Sequence, residues 1–456
     1  MSETVDRAAL KKYVADSRSE FENHLKTLVE IPSVSMDPGH RKDVDACAKA
    51  AARIIEKMGG KAKVKKTAGN PVVLGHFMAH RNAPTVTVYN HMDVQPAGGP
   101  EWDRAPFKMA FEGDRYYARG ATDDKGPAMT ALLAARYSVR SGIPVNIRFI
   151  WELEEEIGSP SFDAFVKKEA PRIPTDSVVV SDTIWVSRTK PAVSAGLRGL
   201  QGAILRLETG EKDTHSGLTG GAARNPITEL AEIIAKCVDA RTGRVKIPGF
   251  HDDVVKPTRE ELGWFRDCGF SVNGFKKAHG LKKLRHSDPM KVMKAIWAEP
   301  TFEVHGIAGG YQGPGVKTAV PPWAEAKISM RLVPDQSPGK ALRLLRKYVK
   351  SLNPDVKITD ESALSPYRGV TTGPYAEAAS AAIEFAYRKK PAVVREGGSI
   401  GAIVTMEQYL KCPITFIGLS LPEHGYHAPN EYYDWGQASG GMQAFVKYFD
   451  LVSRIR

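Results

Sequence analysis

The sequence contains few cysteines and no long apolar segment. Its four cysteines form no Cys-x-x-Cys pair and lie far apart, at Cys47, Cys237, Cys268 and Cys412. That spacing suggests neither a disulfide framework nor a thiolate metal site, and it favours a reducing compartment. A membrane-spanning helix is excluded, because no stretch of about 18 uncharged apolar residues occurs. Residues 1–16 lack the apolar core of a secretory signal, so we expect a cytoplasmic protein without a membrane partner.

An excess of positive charge raises the question of an anionic partner. The chain has 64 Lys and Arg residues against 52 Asp and Glu residues, a formal net charge of +12. The basic residues are spread along the chain, and the densest cluster, residues 276–294, has no interleaved aromatic side chains. This pattern is typical of a solvated helical face. A docking surface and a nucleic-acid site are the alternatives, and no nucleic-acid partner is expected.

Hydrophobic periodicity indicates an α/β fold with two domains. A chain of 456 residues with 42% apolar residues exceeds what one core usually holds. Residues 21–31 and 44–58 show helical spacing. Short apolar runs, separated by helical stretches, predict strands at residues 72–77, 85–89, 145–151, 177–181 and 414–419. Such alternation predicts a mostly parallel sheet with helices on both faces.

The pattern changes in the middle of the chain. Antiparallel strands are predicted at residues 200–209 and 324–332, and helices at residues 227–238 and 340–352. We therefore predict an inserted α+β domain over residues 195–365. It makes the catalytic domain discontinuous, with residues 1–194 as its first part and residues 366–456 as its second. Residues 251–284 show no readable pattern, and we treat them as lid loops that set specificity.

Histidine and acidic residues follow several of the predicted strands. They are His91, Asp93, Asp123, Asp124, Glu155, Glu156, Asp182 and His427. Ligands gather beyond the carboxyl ends of parallel strands, so these side chains are expected to meet. Two divalent cations that share a water need histidine nitrogens and carboxylate oxygens, with one carboxylate able to bridge. The order of these residues therefore predicts a dinuclear metal hydrolase.

The same residues divide into predicted metal ligands and residues that act beside the metals. Five candidates suffice as ligands if one bridges: His91, Asp123, Glu156, Asp182 and His427. Glu155 lies beside a predicted ligand and is left free to act as the general base. Asp93 follows His91 by two residues on a strand, so both side chains point to the same side. Its carboxylate is expected to accept the other ring N–H of that histidine.

Several ordered motifs resemble the carnosinase-like dinuclear metallopeptidases. They lie at residues 91–93, 118–127, 154–159, 181–182 and 425–431, with further matches at residues 143–149, 196–199, 215–217, 331–334 and 395–400. The likeness runs from about residue 20 to the C-terminus. The superfamily also includes aminoacylase, acetylornithine deacetylase, succinyl-diaminopimelate desuccinylase and glutamate carboxypeptidase relatives. The resemblance implies an amide hydrolase whose inserted domain serves as a lid.

The resemblance also implies how the metals are held. His91 and Asp182 would bind one metal ion. Glu156 and His427 would bind the other, with Asp123 as the bridge and a cis peptide bond after it. Two divalent ions per subunit are expected. Zinc is the expected metal, and manganese and cobalt are the alternatives.

Four further roles come from the same resemblance. The inserted domain would pair two subunits as a homodimer, and His215 would reach the partner's active site to stabilise the oxyanion. Arg331 would bind the substrate carboxylate. Thr318 and the loop with Gly398 and Ser399 would close around the substrate.

Other interpretations of single residues stay open at this point. Asp124 has a simpler role as a helix cap, because it precedes a predicted helix. His424 is a rival ligand, and His427 is preferred because it lies in the Gly-x-His-x-x-Asn-Glu pattern of the family. His215 has the alternative of a surface-loop histidine, and Arg331 that of a salt-bridge partner.

The expected substrate is a dipeptide or short peptide with a free C-terminal carboxylate. Asp182 at the third acidic position resembles the dipeptidase and aminopeptidase branches, whereas glutamate is more usual in the deacylases and carboxypeptidases. The alternative is an N-acyl amino acid deacylase of the acetylornithine deacetylase or succinyl-diaminopimelate desuccinylase type. A non-catalytic dimeric scaffold is a remote alternative, and the complete ligand set with Glu155 disfavours it.

Overall fold

Residues 5–455 are described by a computed structural model. Residues 1–4 and 456 lie outside the described residues. They belong to the two predicted parts of the catalytic domain, residues 1–194 and 366–456. The strands are β1 (Lys61–Lys65), β2 (Val72–Phe77), β3 (Thr85–His91), β4 (Ala110–Glu112), β5 (Arg115–Tyr117), β6 (Asn146–Glu152), β7 (Ser177–Val180), β8 (Ala192–Leu197), β9 (Gly199–Glu208), β10 (Thr214–His215), β11 (Thr301–Gly309), β12 (Ala319–Val320), β13 (Trp323–Leu332), β14 (Lys357–Leu364), β15 (Tyr367–Arg368), β16 (Ala392–Glu396), β17 (Ile414–Phe416) and β18 (Tyr432–Asp434). The helices are α1 (Arg7–Asp16), α2 (Arg18–Val29), α3 (Arg41–Lys57), α4 (Gly126–Arg140), α5 (Phe162–Glu169), α6 (Ser216–Thr219), α7 (Pro226–Cys237), α8 (Arg259–Asp267), α9 (Val272–Ala278), α10 (Pro289–Trp297), α11 (Pro338–Leu352), α12 (Pro374–Tyr387), α13 (Gly401–Leu410) and α14 (Trp435–Val452).

A six-stranded sheet forms the centre of the larger core. Its strand order is β1-β2-β6-β3-β7-β17. Strands β6, β3, β7 and β17 pair in parallel, while β1 and β2 add antiparallel pairings at one edge. In register, Val88 of β3 lies between Phe149 of β6 and Val179 of β7. The predicted α/β class with a mostly parallel sheet is confirmed.

Helices cover both faces of this sheet, because alternate side chains of a strand point to opposite sides. Val86 and Val88 of β3 pack in a core with α2, α3, α4 and α14, whereas Tyr89 faces the core beneath α5 and α13. Burial of each such side chain contributes about 1.5–3 kcal/mol to stability. The larger core draws on both ends of the chain, from Leu10 to Val452.

The middle of the chain builds a second sheet with its own core. Its strand order is β11-β13-β9-β14, and its pairings are antiparallel. Helices α7 and α11 supply Leu230, Ile233 and Leu345, which pack with Leu205 and Ile328 of the sheet. These elements lie where periodicity predicts the inserted domain, and its limits stay a prediction.

The segment that shows no sequence pattern contains two helices. Helices α8 and α9 lie within residues 251–284, so the expectation of loops is wrong there. Phe265 of α8 packs with Met293 and Trp297 of α10 against Ala192 of β8 and Val394 of β16. This tertiary packing places the segment beside the loop that follows β16.

The structure also bears on the features that the sequence lacks. No helix within residues 5–455 combines the length and the apolar content that a bilayer crossing requires. All four cysteines are unpaired thiols.

Candidate metal centre

The first histidine of the site closes strand β3. His91 and Asp93 are fully buried. His91 Nδ1 lies 3.0 Å from the carbonyl oxygen of Asp93 and 3.4 Å from its Oδ1. Protonation of Nδ1 therefore leaves Nε2 free for a metal. The Asp93 carboxylate also accepts the backbone N–H groups of Glu155 at 3.2 Å and Glu156 at 3.1 Å. The nearer acceptor for the Nδ1 hydrogen is the Asp93 carbonyl oxygen, so the role of the carboxylate toward His91 stays a prediction. The carboxylate fixes the turn that carries both glutamates.

An irregular turn before α4 carries the next acidic pair. The peptide bond between Asp123 and Asp124 is cis, as the resemblance implies. The two side chains have different surroundings. Asp124 Oδ2 accepts a hydrogen bond of 2.7 Å from Asn90 Nδ2, whereas Asp123 faces the two histidines of the site.

Five side chains meet beyond the carboxyl ends of the parallel strands. His91 Nε2 is 3.0 Å from Asp123 Oδ1 and 3.9 Å from Asp182 Oδ2. His427 Nε2 is 3.1 Å from Asp123 Oδ2 and 3.2 Å from Glu156 Oε2. Within each of these two groups the ligand atoms lie within 4.8 Å of one another. The two groups share Asp123 through its two different oxygens, which is the geometry of a bridging carboxylate.

The site holds more negative charge than its two histidines neutralise. Burial raises the pKa of Asp182 to about 7, and the nearby Asp123 carboxylate adds to this shift. Burial also raises the pKa of Glu156, and it raises the pKa of Glu155 well above its usual value, with repulsion from Asp182 as a further cause. Divalent cations would offset this repulsion. The mixed histidine and carboxylate donors fit zinc, manganese or cobalt.

Comparison with known proteins places this geometry in a family. The model of peptidase family M20/M25/M40 matches residues 87–450. The chain belongs to this family. It is 31% identical over 461 residues to the Cys-Gly metallodipeptidase of Schizosaccharomyces pombe. The matched region covers 96% of this chain and 97% of the relative.

Two solved structures are similar over nearly the whole chain. Human carnosine dipeptidase 1 matches with a TM-score of 0.89 and 26% identity, over 98% of this chain and 99% of that one. An M20 family metallo-carboxypeptidase from Sulfolobus solfataricus matches with a TM-score of 0.88 and 32% identity, over 96% and 100% of the two chains. The resemblance to carnosinase-like metallopeptidases is confirmed, and the chain is an M20 metallopeptidase.

In this M20 peptidase the rival histidine belongs to a different network. His424 is fully buried. Its Nδ1 lies 2.9 Å from Thr122 Oγ1 and accepts the Leu421 N–H at 3.2 Å, while Nε2 lies 3.2 Å from Asp434 Oδ2. Both ring nitrogens are thus engaged away from the acidic clusters. The histidine that lies beside Asp123 and Glu156 is His427. Its backbone φ of 54° lies in the left-handed region.

The predicted carboxylate binder lies on the second sheet. Arg331 Nη1 donates to Ser399 Oγ at 3.0 Å, and Ser399 Oγ donates to the carbonyl oxygen of Arg198. No carboxylate among the described residues forms an ion pair with Arg331, so the salt-bridge interpretation finds no partner there. Gly398, beside Ser399, lines a neighbouring cavity. Arg331 and Ser399 are therefore brought together, and their substrate-binding roles stay predictions.

His215 and Thr318 stand apart from the metal groups of their own chain. His215 pairs with Ala319 across strands β10 and β12, and the Ser216 N–H donates to the carbonyl oxygen of Thr318 at 3.0 Å. Both His215 and Thr318 are exposed. Within residues 5–455, no hydrogen bond or ion pair joins either one to the five clustered ligands. The roles of His215 and Thr318 stay predictions.

Sequence reasoning missed three residues that hold the ligands of this M20 site. Gln95 donates from its backbone N–H at 3.2 Å and from Nε2 at 2.7 Å to Glu156. The Tyr426 hydroxyl donates to Asp182 Oδ1 at 3.2 Å. Glu431 supports the turn of Asp123. Only Glu431 had a usable signal, since it ends the Gly-x-His-x-x-Asn-Glu pattern.

Glu431 supports that turn through a buried carboxylate. Its side chain is fully buried and forms an ion pair with Arg119 at 2.9 Å. It also accepts the backbone N–H groups of Gly120, Thr122 and Asp123 at 3.0, 2.9 and 3.1 Å. Loss of this carboxylate would leave the Arg119 guanidinium buried without its partner.

We expect the variant Glu431→Ala to lower the free energy of unfolding of the metal-free protein by about 3–5 kcal/mol, because it breaks a buried ion pair. Denaturant titration of the metal-free protein measures this change. The matched control is Asp16→Ala, which removes the acid of the exposed pair with Lys12 and is expected to have little effect. Equal stabilities of the two variants would contradict the assigned role of Glu431.

Proposed function

We propose that this chain is a dinuclear metal dipeptidase that cleaves the amide bond of dipeptides or short peptides with a free C-terminal carboxylate. The main observation behind this proposal is that two ligand groups share Asp123: one also contains His91 and Asp182, and the other contains Glu156 and His427. One bridging carboxylate between two such groups suits two cations that act on one substrate. Zinc is the proposed metal, at two ions per subunit, and the cytoplasmic location stays a prediction.

Glu155 suits the role of general base. It precedes the ligand Glu156 in a short turn that Asp93 fixes through two backbone N–H groups. Among the described residues, no side chain donates a hydrogen bond to the Glu155 carboxylate. Burial raises its pKa well above the usual value, so the group holds a proton more readily than an exposed glutamate. A carboxylate that takes a proton from water and returns it to a leaving amine needs this property.

The proposed reaction uses these residues in order. When bound, the divalent cations would polarise the scissile carbonyl and acidify a water molecule. Glu155 takes the proton of that water as it attacks, and later gives the proton to the departing amine. Arg331 binds the substrate carboxylate and so orients the scissile bond. The partner's His215 donates to the oxygen that becomes negatively charged.

A cavity beside the metal groups favours a substrate with a free amino group. The cavity has a volume of about 300 Å³, and its walls include Trp185, Phe270 and Trp297. The Glu396 carboxyl also lines it. Burial raises the pKa of this group to about 8, and the nearby Asp182 adds to the shift. An ammonium group bound beside Glu396 would favour the ionised carboxylate and pair with it, whereas a neutral N-acyl group would not.

The substrate class is tested with enzyme that has been stripped by a chelator. Dipeptides are compared with N-acetyl and N-succinyl amino acids, each with and without added zinc, manganese or cobalt. We expect metal to restore cleavage of dipeptides and to have little effect on the acyl compounds. Cleavage of the acyl compounds alone would replace the dipeptidase by the deacylase. Inactivity toward every compound with every metal would overturn both.

We propose a homodimer formed through the second sheet. Strand β11 is an edge of that sheet, and unpaired edges accept further strands. Exposed apolar side chains occur on and near this edge and near His215, at Ile307 (59% exposed), Val316 (92%) and Leu218 (85%). A second subunit that covers this surface would bury them. Contact of the partner's His215 with the metal site would explain why His215 lies apart from the site of its own chain.

Mixing two inactive variants tests whether His215 acts in the partner. Glu155→Ala and His215→Ala each abolish or strongly reduce turnover as homodimers. A mixed dimer has one site with both residues intact if His215 acts in the partner, and none if it acts in its own subunit. Random reassociation of equal amounts should therefore restore about a quarter of wild-type activity. Unchanged low activity, with mixed dimers verified by mass, would contradict the proposal.

A further inference from the structure

The side chain of Tyr426 contacts Asp182, a proposed metal ligand. Its hydroxyl lies 3.2 Å from Asp182 Oδ1. The other oxygen of that carboxylate, Oδ2, faces His91 Nε2 at 3.9 Å. A carboxylate only accepts hydrogen bonds, so the phenol O–H donates to Asp182. The two oxygens of Asp182 therefore have separate partners, one toward the phenol and one toward the proposed metal.

The phenol is itself held in place. Its oxygen is 3.1 Å from Ser420 Oγ. Ser420 Oγ is in turn 2.8 Å from Thr122 Oγ1 and 3.1 Å from the Thr122 carbonyl oxygen. Ser420 and Thr122 are fully buried. Because Thr122 precedes the shared ligand Asp123, this network joins Tyr426 to the turn that carries the bridge.

The ring of Tyr426 has a second contact that does not use the hydroxyl. It stacks on the His427 ring, with centroids 6.4 Å apart and an angle of 28° between the planes. Removal of the hydroxyl alone would keep this contact. The ligand Glu156 on the His427 side is held by a different donor, Gln95. Among the five proposed ligand side chains, the one that the Tyr426 hydroxyl contacts directly is Asp182, which belongs to a single ligand group.

We propose that Tyr426 is a positioning residue that holds Asp182 Oδ1 and so directs Oδ2 to the metal shared with His91. The inference rests on the proposed dinuclear site. The hydroxyl restrains the short Asp182 side chain in one orientation before metal arrives. Partners of this kind typically change metal affinity by about 10- to 100-fold. The effect should be confined to one of the two binding steps.

The test is stepwise metal binding to the metal-free protein, measured by competition with a chromophoric zinc chelator. Two reference variants identify the steps: Asp182→Asn weakens binding to the group with His91, and His427→Ala weakens binding to the other group. We expect Tyr426→Phe to weaken the step that Asp182→Asn weakens, by about 10- to 100-fold, and to leave the other step unchanged. The Co²⁺ absorption spectrum of the same step should also change.

The matched control is Tyr448→Phe. Tyr448 is also fully buried, and its hydroxyl contacts Thr415 Oγ1 at 3.0 Å and no metal ligand. The metal affinities of the Tyr448→Phe variant should equal those of the wild type in both binding steps. Unchanged affinities in Tyr426→Phe, equal weakening of both steps, or equal weakening in the control would each overturn the role of Tyr426. A wild-type protein that binds no metal would overturn the proposed dinuclear site itself, and this measurement separates that failure from the others.

Discussion

Glu155→Ala is expected to keep the metal ions and the fold while kcat for a dipeptide falls by about 100- to 10,000-fold, the usual contribution of a positioned acid or base. The physical reason is that, among the described residues, the acids that adjoin Glu155 already have other partners. Asp123, Glu156 and Asp182 face the two histidines as proposed ligands, and Asp93 is occupied by two backbone N–H groups. The proton of the attacking water then has no nearby acceptor.

Three measurements check this result: kcat, bound metal per chain and the thermal unfolding midpoint. Glu155→Gln keeps the size of the side chain and should lose as much activity as the alanine variant. Glu155→Asp keeps a carboxylate that is one methylene shorter, and it should retain more activity than either. Wild-type turnover in the alanine variant would refute the assigned base. Loss of metal would show that Glu155 is a ligand instead.

Replacement of the shared acid should have the broadest effect. In Asp123→Ala both ligand groups lose a member, because Asp123 faces His91 with one oxygen and His427 with the other. We expect bound metal to fall toward zero and dipeptide cleavage to become undetectable. Metal at about 100 times its dissociation constant stabilises a protein by about 2.7 kcal/mol. Added metal should therefore raise the unfolding midpoint of the wild type and not that of the variant.

The neighbouring residue provides the control for this prediction. Asp124 is joined to Asp123 by the cis peptide bond, yet its carboxylate accepts from Asn90 and stands in neither ligand group. Asp124→Asn should therefore keep both metals and the stabilisation that they provide. If Asp123→Ala still bound two ions, the bridging assignment would be wrong.

Much of the fold could be predicted because its signals are local. The alternation along β9 and β13 and the helical spacing of α3 and α11 follow from single segments of the chain. The position of the ligands was also predictable, since acids and histidines at the ends of parallel strands must converge. Asp182 and His427 are 245 positions apart in sequence, yet the strands before them, β7 and β17, are neighbours.

The rest depends on contacts that no local pattern records. Helix α8 is short, and it is stabilised by packing on β16 rather than by its own periodicity. The hydrogen bond from Tyr426 to Asp182 joins two loops whose approach is set by the whole sheet. Likewise, the sequence predicted a contact of the Asp93 carboxylate with His91, and it gave no sign that this carboxylate also accepts the backbone N–H groups of Glu155 and Glu156. Such side-chain pairings follow from tertiary geometry.

The contribution of both chain ends to the larger core has a consequence for biosynthesis. Helix α14 places Phe445 and Phe449 in the core that α2, α3 and α4 begin, and His427 precedes this helix by only a few residues. A nascent chain that emerges from the ribosome thus carries four of the five ligands long before the last one. Until α14 is translated, the apolar side chains of α2, α3 and α4 lack the contacts that Phe445 and Phe449 provide, and exposed apolar surface of this kind promotes aggregation. The full set of proposed ligands can therefore form only after residue 427 has been translated.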